Sequence, residues 1–149
     1  PTSDLQVSGS TIFVACSGDF SGDGDGGIVS IDTTSGTTSL VISDADLGGY
    51  PNGLVVGANG ELFTLVAVPG AELFSTQEMR AVRVSGGVAS TLYSSPGFTL
   101  SGLAVLDGEL YVGNRSSDAT QGIWTVELDT GTVSGPIATT VPPFAFVVR

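Results

Sequence analysis

The chain has 149 residues, enough for one domain with a buried core, and 41% of them are hydrophobic, which excludes a disordered composition. Fifteen acids stand against four arginines, with no lysine and no histidine, for a net charge of -11; nucleic acid and anionic membrane surfaces would repel it, whereas cations and basic partners would not. Cys16 is the single cysteine, so an internal disulfide and Cys/His zinc sites are excluded, and no apolar run approaches the roughly 18 residues of a membrane span.

No window longer than about ten residues carries helical periodicity; short alternating or β-branched runs punctuated by Gly, Asn, Asp and Pro predict an all-β chain. From Leu5, "LQVSGSTIFVAC" is a strand, a glycine-bearing turn and a strand. The loop "SGDFSGDGDGG" follows, then "IVSID", a turn with Gly36, and a fourth strand. The same order returns from Leu54 in "LVVGANGELFTLV" and from Leu103 in "LAVLDGELYVGN", with last turns at Gly86 and Gly131. Leu5, Leu54 and Leu103 recur every 49 residues, each opening four antiparallel strands. That is the size and content of a β-propeller blade.

The expected organisation is blade 1 over 1–48, blade 2 over 49–98 and blade 3 over 99–141. Residues 142–149 form the first strand of a further blade, centred on Phe144 to Val148, or a strand donated to a neighbour. Three blades and a strand do not close a ring, so the ring is incomplete unless copies assemble or the chain is part of a longer one. Val29 and Ile31, Val82 and Val84, and Trp124 and Val126 fall on one face of the third strands. Arg80 interrupts that face. Pro136 falls in an outermost strand, where proline is tolerated.

In such a meander the second-to-third-strand loops and the blade-to-blade links share one end of the sheets, and here they are the long connections. That end gathers Asp19, Asp23, Asp25, Asp44, Asp46, Asp118 and others, with only Arg115 opposing them. Ser21, Asp23, Asp25, Gly26, Ile28 and Asp32 fall at EF-hand loop positions, but Ile28 starts a strand and the helical frame is missing. What remains is a candidate calcium site of Asp19, Asp23 and Asp25 at a hairpin tip.

"YPNGLVVGANGELFTL", Tyr50 to Leu65, resembles the blade signature of the NHL and gluconolactonase/strictosidine-synthase group of propellers. The resemblance implies a calcium-dependent hydrolase in which Asn52 helps hold an axial metal; the equivalent Ser3 and Ser101 are not strong ligands, and no histidine is present to serve as base. Ser-His-Asp and Cys-His catalysis are excluded for the same reason. The expectation is a non-enzymatic module, extracellular or at the cell surface, that binds or assembles through blade edges and its acidic loop face. Its partners would be further copies, the remainder of a longer chain, or a protein or glycan, with no nucleic acid and no membrane. The alternative is a calcium-dependent lactonase.

Overall fold

The computed structural model describes residues 2–19, 25–72 and 75–146. Blade 1 is one sheet of β1 (Thr2–Ser8), β2 (Thr11–Cys16), β3 (Gly27–Asp32) and β4 (Thr38–Ser43), paired in that order. A single helical turn, α1 (Asp44–Leu47), leads to blade 2: β5 (Tyr50–Val56), β6 (Leu62–Pro69), β7 (Thr76–Ser85) and β8 (Val88–Pro96). Blade 3 holds β9 (Leu100–Leu106), β10 (Glu109–Asn114), β11 (Gly122–Glu127) and β12 (Val133–Ile137). The chain is therefore all-β, with three four-stranded antiparallel blades in an unclosed arc. Pro136 lies in β12, an outermost strand.

The ladders make the repeat exact at the level of register. The third strand of each blade meets the fourth with a bulge at one position, between Ile28 and Val29, Ala81 and Val82, and Ile123 and Thr125. Val29, Val82 and Trp124 are thus equivalent, as are Ile31, Val84 and Val126. In the second strands the same alignment makes Phe13, Phe63 and Tyr111 equivalent, on the opposite face.

Each blade packs its valine-bearing face on the blade before it. Val82 and Val84 join Ala15, Ile28 and Ile42 in a core between blades 1 and 2, while Val126, Leu110 and Val112 join Phe63 and Met79 between blades 2 and 3. Blade 1 has no preceding blade here. Its rows Leu5–Val14–Val29–Leu40 and Val7–Ile12–Ile31 form an apolar face. Leu5, Val7 and Leu40 are 50%, 63% and 63% exposed, whereas Val84 and Val126 are 2% and 0% exposed. Leu54, the blade 2 counterpart of Leu5, is 4% exposed, and Ile31, the blade 1 counterpart of Val84 and Val126, is half-buried, so the blade 1 face is more open than the matching faces of blades 2 and 3.

Two local features depart from the sequence expectation. The link after β4 is a helical turn rather than a plain loop: the Ser43 hydroxyl accepts the Asp46 N–H at 3.1 Å and donates to Asp46 Oδ2 at 2.6 Å, a reciprocal cap. Gly48 closes the turn in the left-handed region at φ 71°. Arg80 interrupts the apolar face because it meets this turn. It pairs with Glu78, and its Nη1 lies 3.4 Å from where a Cβ on Gly48 would sit.

Residues 142–146 carry no strand ladder. They nevertheless lie along β9: the Ser101 hydroxyl donates to the Pro143 carbonyl, and Gly102 backs onto Ala145 and Phe146. The Ser3 hydroxyl donates in the same way to the Pro51 carbonyl at 2.9 Å. Ser3 and Ser101 are equivalent, so Pro143-Phe144-Ala145-Phe146 stands where Pro51-Asn52-Gly53-Leu54 stands one blade after blade 1. Among the described residues no second strand lies beside that segment. Residues 147–149 lie outside the described residues.

Candidate functional site

The β2–β3, β6–β7 and β10–β11 connections and the links at 44–49 and 97–99 start from one end of the arc, as the meander requires. Four environments sit there.

The first is the acidic loop after β2. Asp25 Oδ2 accepts the Asp19 N–H at 3.0 Å, and the Asp25 carboxylate lies over Gly18. Asp19 and Asp25 are therefore together; Asp23 lies outside the described residues. Among the described residues no three Asp, Glu, Cys or His side chains converge as a metal site. A three-aspartate set is thus not assembled from what is described, and a cation there would need main-chain oxygens or water as well.

Behind this loop lies Asp44. Its carboxylate is fully buried, and among the described residues neither oxygen has a hydrogen-bond partner. An uncompensated buried charge is destabilising by roughly 3–5 kcal/mol. Asp4, by contrast, is structural: Oδ2 accepts the Leu54 N–H at 2.8 Å and ties blade 1 to blade 2.

The third of these environments is near the innermost strands. Asn52 on β5 lines a cavity of about 300 Å³ with Ser101, Gly102, Phe98, Arg115 and Phe144. The Asn52 side-chain amide makes no hydrogen bond among the described residues. The Arg115 guanidinium lies 4.8 Å from the Phe98 ring centroid and 5.5 Å from that of Phe144, and donates to the Phe98 carbonyl at 3.1 Å. It fastens the segment 143–146 to the β8–β9 link. A cavity of about 620 Å³ opens at the opposite end beside Phe13, Leu62 and Val84. It is the flare between blades 1 and 2, away from the predicted face.

Between blades 2 and 3 the same end is closed by a satisfied polar network. Buried Asn114 donates to Ser95 Oγ at 3.2 Å and to the Tyr93 hydroxyl at 3.4 Å, and accepts the Ser116 N–H at 2.9 Å. Tyr93 stacks on Trp124, and burial is the main cause that raises its phenol pKa. Asp118 organises the next loop: the Thr120 hydroxyl and N–H and the Ser116 hydroxyl donate to it, holding its pKa below the usual carboxylate value. A lowered folded-state pKa means that this contribution is full above the ordinary value of 3.8 and is lost as pH falls through the lower folded value. We expect Asp118→Asn to flatten the acid limb of the stability curve below about pH 4, read by melting from pH 2 to 5. An unchanged acid limb contradicts the loop role.

Of the sequence candidates, Asp19 and Asp25 are adjacent and Asn52 faces a separate cavity. Sequence reasoning placed Asp44 on the loop face without its burial, and gave Arg115 no role as a clamp. The signal for α1, Ser43 three residues before Asp46 and five before Gly48, was present.

No protein-family profile matches the sequence, and no curated protein does. Solved structures do. A variant of the AtxE2 isopeptidase with astexin3-dC4 bound is similar at 17% identity and TM-score 0.66, over 96% of this chain and 21% of that one. A calcium-binding protein, regucalcin, from Agrobacterium tumefaciens strain C58 is similar at 18% identity and TM-score 0.59, over 90% of this chain and 43% of that one. The chain thus spans less than half the length of either structure. At this identity the likeness concerns fold: three successive blades of propeller type, shared in arrangement with regucalcin and an isopeptidase.

Proposed function

We propose that this chain is a non-enzymatic binding and assembly module, working as an arc of propeller blades that joins further blades at both ends. The observation that carries the reading is the open apolar face of blade 1, whose counterparts on blades 2 and 3 pack into the cores between blades. The seating of 143–146 supports it at the other end, where the segment takes the place of an innermost strand and offers its outer edge to a second one. The occupant of each end is a four-stranded blade of the same kind, from another copy or from further polypeptide. The acidic long-loop end is left for a protein or glycan ligand, and the net charge of -11 with its Gly, Ser and Thr content fits an extracellular or cell-surface setting. Deleting Pro143–Arg149 should lower both assembly and melting temperature; unchanged mass by light scattering together with unchanged melting refutes the reading.

One observation favours a second reading, a calcium-dependent lactonase. Asn52 keeps an unbonded amide in the cavity near the innermost strands, the place the gluconolactonase resemblance gives a metal ligand. Calcium-stimulated lactone hydrolysis by the pure chain, abolished in Asn52→Ala, would establish it; the absence of hydrolysis with calcium would remove it.

A further inference from the structure

Among the described residues, Asp44 is the one buried acidic or basic residue, and both of its oxygens lack a hydrogen-bond partner. Arg80 is not its counter-ion, being engaged by Glu78. The Asp44 N–H is itself spent on the Gly26 carbonyl at 3.2 Å. A buried carboxylate without a protein donor is unstable as an anion unless a cation accompanies it.

The surroundings include a main-chain carbonyl oxygen beside the carboxylate. A Cβ on Gly26 would lie 2.7 Å from the Cys16 carbonyl oxygen, 2.9 Å from the Gly18 nitrogen and 3.0 Å from Asp44 Oδ2. Only glycine leaves that space open, and it lies between a carbonyl and the orphaned carboxylate. The Asp25 carboxylate lies over the neighbouring Gly18. No histidine exists in the chain, so a soft or imidazole-seeking metal is not served.

We propose that Asp44 is the buried anchor of a site for a hard divalent cation, calcium foremost, which the Cys16 carbonyl and the Asp25 carboxylate help to complete with water. Two carboxylates with carbonyl and water oxygens satisfy calcium. The inference moves the metal from the cavity near Asn52 to the junction of blade 1 with α1. Leu47 on the same helical turn is part of the core between blades 1 and 2, so a cation at Asp44 fastens the acidic loop to that junction. It rests on nothing in the assembly reading.

The test is thermal unfolding of the full chain in millimolar calcium against sodium chloride of equal ionic strength, because any salt screens a chain of net charge -11. Calcium should raise the melting temperature by about 5 °C beyond sodium. Asp44→Asn should lose that rise, while Asp129→Asn, which removes an exposed acid in the distant β11–β12 turn, should keep it. A rise equal in sodium, or one retained in Asp44→Asn, overturns the proposal. Should Asp44→Asn fail to fold, equilibrium dialysis of the unaltered chain decides. About one calcium per chain supports the site, and none at millimolar calcium overturns it.

Discussion

Replacing Val84 by aspartate should unfold the chain, while the same replacement at Ile31, its counterpart one blade earlier, should leave it folded and more soluble. Val84 is 2% exposed between blades 1 and 2, so an aspartate there is an unpaired charge in a packed apolar core. Such a change is destabilising by more than about 4 kcal/mol, a large share of the roughly 5–15 kcal/mol that holds a domain together. Ile31 carries the same pattern on the uncovered face of blade 1, where water reaches an introduced carboxylate. A cost of about 1 kcal/mol is expected there. Urea unfolding of the two variants checks the pair, and equal destabilisation would mean that the blade 1 face is not open.

The aromatic series on the opposite face gives the second large contrast. Phe63 is fully buried in the core against blade 3, and Phe63→Ala should lower stability by about 4 kcal/mol through lost burial and the cavity left behind. Tyr111 holds the equivalent place in blade 3, facing the side where the next blade would lie. Its hydroxyl donates to Glu109 Oε2 at 2.8 Å, which raises its pKa. Tyr111→Ala should therefore cost about 1 kcal/mol or less in the isolated chain. The difference should shrink once another blade covers Tyr111, a result that thermal melting at rising protein concentration can read.

These contrasts also mark what was legible in the sequence. Alternation of period two and the spacing of Leu5, Leu54 and Leu103 define blades, because each blade repeats the same inward and outward choices. The same alternation singled out Val29, Val82 and Trp124, whose shared bulge positions now fix the alignment. Burial was not legible, since it depends on which neighbour is present: Ile31 and Val84 look alike in sequence and differ only in what lies over them. The site was read less completely for a related reason. Asp44 is two residues from the exposed Asp46, yet a single capped turn rotates it inward. Arg115 meets Phe98 and Phe144 only through contacts distant in sequence.

The central claim, that this arc presents a blade face made for a neighbour, is tested most directly by light scattering of the intact 14.9 kDa chain over a dilution series, beside a Val7→Glu, Leu40→Glu double variant. The account predicts a mass that climbs above the monomer with concentration, and a variant that stays monomeric with unchanged melting. A wild-type chain that remains at monomer mass throughout, with its blade 1 face nonetheless exposed, would contradict it.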